Sequence, residues 1–468
     1  MLKLLLIAVC AVAQPCTFVT QRVQCGALTC NKTTSQCGPC VESSDCFENA
    51  MGCHAGKCVL DSLASAFTAG TIFAPLCGFI ICAIAVVAGV GGGGILVVLY
   101  RALLGVPMST AVGLSQATIA GQSFLNMVLQ IQRHHPHHLP PRATRPIINY
   151  EYLTLMLPFS LVGTLLGELG NQVSSDWFRV VSLFVLLTYI LYRLIIRIRR
   201  QRERDAAEKL LPNSIDDFSA KTIDPNLNTI KVREPKNSQE KPQYPIFWIA
   251  TITWSFGIQF AFSYLKGSHA HLVGCGQWGY WAIIGGSIVY SIIATVAIRS
   301  YLLHLKGRVK EGELPDYVVP FKWNWKSTVL FPLLSVVAGG AASMLGIGGG
   351  LVLSFLLLEA GITPEATAAT GGLATFLVAF QFLSMYLVQG LVRWDYGLLM
   401  IGTGAASTLL GQFVFVREIT KRGWSFMIIV CLAFIMIGSM IALTILGVYS
   451  TVKIEEDQGS LGFGELCK

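Results

Sequence analysis

Apolar residues along the chain fall into long blocks separated by polar connections. Ten of these blocks hold about 20 residues each, which as a helix is long enough to cross the roughly 30 Å hydrocarbon core of a bilayer. They are 68–88, 109–131, 150–172, 178–198, 245–265, 277–298, 327–345, 364–388, 395–415 and 424–447. Two shorter apolar pieces, 93–104 and 350–361, directly follow runs of glycine. The pattern predicts an all-α polytopic membrane protein with membrane lipid as a partner.

The glycine runs belong to a motif that occurs twice. Residues 89–119 read GVGGGGILVVLYRALLGVPMSTAVGLSQATI, and residues 346–376 read GIGGGLVLSFLLLEAGITPEATAATGGLATF. A second block, 149–167, aligns without a gap to 393–411, and both copies end in Thr-Leu-Leu-Gly. Because two motifs recur in the same order, we expect two homologous transmembrane repeats.

The predicted repeats, 68–198 and 327–448, are accompanied by other segments. Residues 1–13, MLKLLLIAVCAVA, have one lysine, a short apolar core and an Ala-Val-Ala cleavage-like site, which together indicate a secretory signal peptide. The segment 199–243 is rich in charge and proline and has no hydrophobic periodicity, so it is predicted to be a disordered linker. The remaining segments are a cysteine-rich extracytosolic region at 14–67, two extra spans with a basic loop at 244–326 and a C-terminal tail at 449–468.

Eight cysteines lie in a short polar stretch behind the signal peptide. They are Cys16, Cys25, Cys30, Cys37, Cys40, Cys46, Cys53 and Cys58. An even number in this position predicts structural disulfides, whose connectivity the sequence does not give. The alternative is a redox or metal site at Cys37-Gly-Pro-Cys40, but no βαβ pattern surrounds that pair, so we expect disulfides and no metal. Asn31 begins an Asn-Lys-Thr acceptor site for N-glycosylation.

The formal net charge of +8 lies mostly in loops beside the spans. This is the positive-inside pattern of a membrane protein, and we expect no nucleic-acid partner. Arginines crowd the entrance of the 199–243 linker, which is therefore predicted to be cytosolic. With the cysteine-rich region outside, an odd number of crossings must precede the linker, so the piece 93–104 has to supply one reversal. The two repeats then have opposite orientations, and the tail lies outside, in a protein of the plasma membrane or secretory pathway.

A glycine run within hydrocarbon interrupts a helix and leaves main-chain polar groups without partners, unless the break is buried in protein or faces water. In transporters with inverted repeats, paired breaks of this kind mark the binding site near the middle of the membrane. The helix that begins after each break has free N–H groups and a positive dipole end, which favour an anion. The alternative is that small residues merely let the helices pack closely.

The predicted ligands of this site come from both motifs and from the polar helix that follows each one. They are Gly91, Gly92, Gly93, Ser115, Gln116, Thr118, Gly348, Gly349, Gly350, Thr370 and Thr375. Glu168, a carboxylate within an apolar span, is a candidate for proton coupling, with an interfacial position as the alternative. No HExxH or GxSxG motif and no nucleophile–base pair is visible, so we expect no enzyme activity and no cofactor.

The duplicated motif resembles that of the sulfite exporter TauE/SafE family, a group of polytopic anion permeases with duplicated halves. The resemblance is carried by G-[IV]-G-G-G, an apolar stretch and the paired Pro107 with Thr110-Ala111 and Pro364 with Thr367-Ala368, and it is most specific at 346–376. It implies a secondary transporter of small anions, such as sulfite or organosulfonates, that works by alternating access. It does not extend to the cysteine-rich region or the linker. The alternative is a receptor or scaffold that does not transport and whose cysteine-rich region binds a ligand; no feature of the sequence indicates the oligomeric state.

Overall fold

A computed structural model of the chain describes residues 28–30, 36–46, 51–63, 69–133, 146–210, 244–267, 277–310, 325–422 and 425–456. Thirteen helices make up most of this part of the chain. They are α1 (Ala69–Ala85), α2 (Gly93–Leu104), α3 (Met108–Gln130), α4 (Tyr150–Val173), α5 (Asp176–Leu210), α6 (Ile246–Gly267), α7 (Trp278–Lys310), α8 (Phe331–Leu345), α9 (Gly350–Glu359), α10 (Pro364–Val388), α11 (Trp394–Leu410), α12 (Arg417–Arg422) and α13 (Ser425–Glu456). A 3₁₀ turn, Val86–Ala88, extends α1, and π turns precede α8 (Lys326–Leu330) and follow α11 (Gly411–Val416).

The cysteine-rich region forms two small antiparallel hairpins. β1 (Thr29–Cys30) pairs with β2 (Cys37–Gly38), and β3 (Met51–His54) pairs with β4 (Lys57–Leu60). Disulfides join Cys40 to Cys53 and Cys46 to Cys58, and Cys30 and Cys37 are also disulfide-bonded. The sulfurs of Cys40, Cys46 and Cys58 lie within 4.8 Å of one another, but their disulfide bonds leave none of them as a thiolate ligand for a metal. Cys16, Cys25, Asn31 and the predicted signal peptide lie outside the described residues.

We expect maleimide labelling of the denatured, unreduced protein to separate two classes of cysteine. Cys40, Cys46, Cys53 and Cys58 should stay unlabelled until a reductant is added, because disulfides do not react with maleimide. Cys77 and Cys431 are free thiols and should be labelled at once, which provides the internal control. Peptide mass spectrometry reads out both classes. Labelling of the first class without reductant would contradict the two disulfides.

All ten apolar blocks form helices, although several helices extend beyond the predicted limits. Judged by length and composition, eight helices in the described ranges are able to cross a membrane. α3 is not among them, since its interior positions carry Ser, Thr, Gln and Asn. α5 continues to Leu210, into the predicted linker, because the residues after 198 are mostly strong helix formers; the rest of the linker, 211–243, lies outside the described residues. α13 likewise reaches Glu456, within the predicted tail.

The two extra helices, α6 and α7, carry apolar side chains outwards and polar side chains inwards. Trp254 on α6 is 71% exposed, and Ile293 on α7 is similarly exposed. Ser263 and Ser291, on the opposite faces of the same helices, are buried. An outward apolar surface on a long apolar helix is the arrangement that hydrocarbon stabilises, so these faces are where lipid would contact the protein.

Side-chain contacts define two ends of the helical bundle. At one end the main-chain N–H of Leu63, just after β4, donates to Asp395 Oδ2 at the start of α11, over 3.1 Å. We call this the Cys-rich end. At the other end, which we call the linker end, Arg193 Nη2 donates to Glu359 Oε1 over 3.1 Å, and Tyr152 OH donates to the Ser327 carbonyl over 3.1 Å. These contacts fix which helix termini lie together.

Candidate functional site

Both glycine motifs form short non-helical segments between consecutive helices. The first segment lies between the 3₁₀ turn after α1 and the start of α2, and Gly89 and Gly92 within it have φ angles of 68° and 66°. The second lies between α8 and α9, where Gly346 and Gly348 have φ angles of 73° and 71°. Side chains other than glycine are strained at such angles. Glycine is therefore required at these four positions by the backbone itself.

The two glycine segments lie directly against each other. A methyl group built on Gly93 would be 2.1 Å from the carbonyl oxygen of Gly346. The matching position of the second motif, Gly350, is turned towards the first segment, since a methyl group there would be 3.2 Å from the Gly89 carbonyl oxygen and 1.7 Å from Thr375 Oγ1. Backbone meets backbone at this point, which we call the glycine crossing. The structure thus brings together six of the predicted ligands, Gly91–Gly93 and Gly348–Gly350.

Side chains donate hydrogen bonds to the carbonyl groups at and beside the glycine crossing. Ser115 Oγ donates to the Gly346 carbonyl over 3.0 Å and lies 3.5 Å from the Gly93 carbonyl. Gln116 Nε2 donates to the Ala342 carbonyl, in the last turn of α8, over 2.7 Å. Gln122 Nε2 donates to the carbonyl of Val90 over 3.0 Å. Carbonyl groups of both glycine segments and of the last turn of α8 therefore have hydrogen-bond donors.

Six main-chain N–H groups of the crossing, in contrast to its carbonyl groups, have no hydrogen-bond partners among the described residues. In the part of the chain that the structure describes, those of Gly91, Gly92 and Gly93 donate no hydrogen bond, and neither do those of Gly348, Gly349 and Gly350. α2 and α9 begin here, so two positive helix termini meet at one buried point. Buried N–H groups without acceptors are uncommon in folded proteins. Carbonyl groups that already accept hydrogen bonds, next to N–H groups that donate none, suit an anion and not a cation.

The three threonines predicted as ligands occupy different surroundings. Thr375 Oγ1 lies 3.4 Å from the Gly89 carbonyl, at the crossing. Thr118 Oγ1 hydrogen-bonds with the hydroxyl of Tyr100 on α2, over 2.8 Å. Thr370 Oγ1 instead accepts from the main-chain N–H of Asn149, at the start of α4, over 2.9 Å. Its recorded contacts lie away from the glycine segments, because Thr370 and Thr375 occupy different faces of α10.

Two buried residues on the helices beside the crossing, α2 and α3, lie outside the predicted set of ligands. Tyr100 is fully buried between α1 and α3, since a methyl group on Gly78 would lie 2.7 Å from its hydroxyl. Gln122 reaches the first glycine segment from α3 and is buried. A glutamine in the middle of a transmembrane helix was a visible signal for the second residue. Tyr100 gave no such signal, since its neighbours are apolar except for Arg101.

Replacing Gln122 with leucine is expected to destabilise the protein. The change removes the hydrogen bond to the Val90 carbonyl and leaves that buried acceptor without its donor, a loss of about 1–3 kcal/mol. Thermal unfolding in detergent measures it. Ser384→Ala on α10 is the control, because the Ser384 hydroxyl donates only to a carbonyl of its own helix. Equal melting temperatures for the two variants would show that the Gln122 bond contributes nothing.

Glu168 is fully buried near the end of α4 and forms an ion pair. Its Oε2 accepts from Lys266 Nζ at the end of α6, and its Oε1 accepts from Gln389 Nε2, just after α10, over 2.5 Å. The Lys266 side chain is 2% exposed and the Glu168 side chain 0%. The interfacial alternative for Glu168 predicted contact with solvent, which this burial does not support. The pair joins the first half, the extra helices and the second half at the Cys-rich end.

Known proteins align with most of this chain at low identity. The model of the family "Sulfite exporter TauE/SafE" matches residues 74–259. "Sulfite exporter TauE/SafE family protein 3" of Arabidopsis thaliana is 24% identical over 414 residues, which are 85% of this chain and 83% of that protein. This chain is similar to the sulfite exporter TauE/SafE family. "Sulfite exporter TauE/SafE family protein 2" of the same plant is 24% identical over 405 residues, 81% of this chain and 84% of the relative. No solved structure matches the chain significantly.

Eight helices able to cross a membrane, together with the similarity to the TauE/SafE family, support an integral membrane protein. The family match begins within α1 and ends within α6, so it includes the first glycine segment. The two plant relatives cover most of the chain, and their alignments are therefore not confined to the family model's segment.

Proposed function

We propose that the protein is a secondary transporter of small anions, with the glycine crossing as its central binding site. The observation that carries this proposal is the asymmetry of the crossing: its carbonyls accept hydrogen bonds from side chains, whereas six main-chain N–H groups are open. An anion that accepts several hydrogen bonds would complete these donors. The similarity to the sulfite exporter TauE/SafE family supports anion transport as well.

We further infer that the two halves are inverted copies of one unit. Equivalent residues make equivalent contacts in the two halves. A methyl group on Gly167 of α4 would meet the Gly340 carbonyl at 2.4 Å, and one on Gly411 after α11 would meet the Ala83 carbonyl at 2.5 Å. Gly411 aligns with Gly167 in the repeated block, and Ala83 lies as far before Gly89 as Gly340 lies before Gly346. Chance packing would not preserve such a register.

The directions of the helices support the inversion. α3 begins at the Cys-rich end, where the Thr110 hydroxyl donates to the Leu391 carbonyl over 3.2 Å, so α1 and α2 open towards that end. α9 ends at the linker end, where Glu359 meets Arg193, so α8 and α9 open towards the opposite side. Two helix pairs that enter from opposite sides and touch at their glycines fit alternating access around a fixed site. The cytosolic side is proposed to be the linker end, next to the arginines of α5.

The substrate class follows from the donors. Main-chain N–H groups at two helix termini suit a small, compact oxyanion better than a bulky organic anion, because the crossing is bounded by backbone and by Ile119 and Val378. The names of the two plant relatives refer to sulfite. We propose sulfite or a related sulfur oxyanion, or a small organosulfonate, as the substrate. Main-chain N–H groups would be the principal ligands, with Ser115 and Thr375 alongside them.

Uptake by the purified full-length protein in proteoliposomes tests the proposal. The panel is sulfite, sulfate, thiosulfate and a small sulfonate, and protein-free liposomes give the background. We expect saturable uptake of at least one sulfur oxyanion, with competition among the panel. Absence of uptake for the whole panel, by protein that remains folded, would overturn the proposal. It would favour the receptor or scaffold, whose cysteine-rich region already contacts the membrane body through Leu63 and Asp395.

A further inference from the structure

Polar side chains line the faces of α6 and α7 that point into the protein. On α6 they recur at helical spacing as Ser255, Gln259, Ser263 and Lys266, and all four are buried. On α7 they recur every four residues as Ser287, Ser291 and Thr295, also buried. Both helices bury polar groups and direct apolar groups outwards, the reverse of a helix in water. We call this set of seven side chains the polar column.

Hydrogen bonds link the polar column across the two helices and to the first half. Gln259 Nε2 donates to Ser291 Oγ over 2.6 Å, and Ser287 Oγ donates to Gln259 Oε1 over 2.6 Å. Ser291 Oγ donates in turn to the Pro158 carbonyl of α4 over 3.0 Å. A chain of hydroxyl and amide groups in contact is able to pass a proton along hydrogen bonds when water fills its gaps.

The same column reaches the second half and ends at the buried ion pair. Gln381 Nε2 of α10 donates to Ser263 Oγ over 2.6 Å. Lys266 lies one turn further along α6 and pairs with Glu168. At about 1.5 Å per residue, the stretch from Ser255 to Lys266 is roughly 16 Å long, about half of the hydrocarbon core. The column therefore leads from the interior of the bundle to the Cys-rich end.

Two hydroxyl groups of the column and one oxygen of its neighbour Gln381 lack hydrogen-bond partners. Ser255 Oγ, Thr295 Oγ1 and Gln381 Oε1 are buried and have no hydrogen-bond partner among the described residues. An interface made only for packing would normally pair its buried polar atoms. Open acceptors next to hydroxyl groups are sites where ordered water binds, and this second observation points to proton passage rather than to docking alone.

We propose that the polar column and Glu168 form the proton site that couples transport to a proton gradient, an inference that rests on the proposed function. One proton adds to the Glu168 carboxylate and makes it a carboxylic acid, while Lys266 keeps its own proton. The charge of the pair changes from zero to +1, and no other reactant is consumed. A positive charge within the bundle stabilises a bound anion, so proton and anion favour each other's binding. Coupling of this kind is reciprocal.

The groups facing Glu168 come from each helix packed against it. Lys266 of α6 is its ion-pair partner, and Gln389 beyond α10 carries no charge. Tyr280 of α7 lies under Lys266, with Nζ 5.8 Å from its ring centre. Arg179 of α5 donates to the carbonyls of Asn171 and Ser174, at the C-terminal end of α4. Lys266 is thus a charged group in direct contact with Glu168.

The experiment uses the full-length protein in proteoliposomes with sulfite as the probe and a trapped pH-sensitive dye. For the wild type we expect sulfite uptake to move protons and an imposed pH gradient to accelerate it by about tenfold. Glu168→Gln should lose this acceleration, while sulfite exchange at equal pH on both sides, which moves no net proton, continues at a reduced rate. Gln259→Leu keeps the ion pair and should slow proton movement at least about fivefold. Thr253→Val is the control, since the Thr253 hydroxyl faces outwards and donates to its own helix.

The outcomes separate this inference from the proposed function. Sulfite uptake without proton movement overturns the inference and leaves the transporter intact. No exchange of any anion by the wild type overturns both. If Glu168→Gln does not fold, Gln259→Leu carries the test: an unchanged rate of proton movement, with only a lower melting temperature, would show that the column is a docking interface and would overturn the inference.

Discussion

A methyl group at Gly93 is expected to abolish anion uptake. In Gly93→Ala the new carbon would lie 2.1 Å from the Gly346 carbonyl oxygen, and the neighbour is backbone, which cannot rotate away as a side chain does. The two glycine segments must separate, with a strain of about 1–3 kcal/mol. This displacement spreads the open N–H groups of Gly91–Gly93 and Gly348–Gly350, so we expect uptake to fall by at least about tenfold.

The matched control is Gly402→Ala on α11, where an added methyl group meets nothing within 4 Å. It makes the same substitution in a transmembrane helix and should leave uptake near that of the wild type. Gly349→Ala is a milder probe of the site, because Gly349 has a φ of −56° and its methyl group would be 3.0 Å from a Val378 methyl carbon. Sulfite uptake and chromatographic homogeneity are measured for all three variants. Full uptake by a folded Gly93→Ala protein would exclude the crossing as the binding site.

Replacing Lys266 with methionine is expected to have the largest effect on stability. The change leaves the Glu168 carboxylate buried without its cation, and breaking a buried pair in this way costs about 3–5 kcal/mol. The double variant Lys266→Met/Glu168→Gln removes both charges and should recover most of that loss, since two neutral groups can share the site. Thermal unfolding in detergent at neutral pH measures each variant.

The single and double variants together form a thermodynamic cycle. Lys306→Met near the end of α7 is the control, because Lys306 lies close to the helix terminus and is only partly buried. Its melting temperature should change little. If Lys266→Met is as stable as the control, the ion pair is weak and Glu168 must have another neutralising partner. If the double variant is no more stable than the single one, the loss comes from packing of the lysine side chain and not from charge.

Much of the fold was accessible from local patterns. The ten apolar blocks all became helices, because a block of about 20 apolar residues satisfies its backbone only as a helix in hydrocarbon. Gly89 and Gly346, at the C-terminal ends of helical segments, have left-handed angles. The boundaries after α5 and α13 were wrong, since charge composition indicates solvent and not the end of a helix. Residues 199–210 show this, being polar and helical at once.

The candidate site could be predicted only in part. Ser115 and Thr118 lie three positions apart on α3 and share a face; Ser115 contacts the crossing, and Thr118 hydrogen-bonds with Tyr100 of α2. Thr370 and Thr375 lie five positions apart, which is about 140° around a helix of 3.6 residues per turn. They cannot both face one point. In the structure Thr370 Oγ1 accepts a hydrogen bond from the main-chain N–H of Asn149, at the start of α4. Helical spacing alone could have separated these two residues.

The sequence by itself determined the membrane class, the repeated glycine motif, the cysteine-rich region and the resemblance to a family. These properties depend on residues near one another in the chain, whose spacing and hydropathy act locally. Only the tertiary structure decided that Gly93 touches Gly346, that Lys266 neutralises Glu168 and that the inner faces of α6 and α7 join into one polar column. A buried polar atom is stabilised by whichever partner packing brings within reach, and for these groups that partner lies far along the chain.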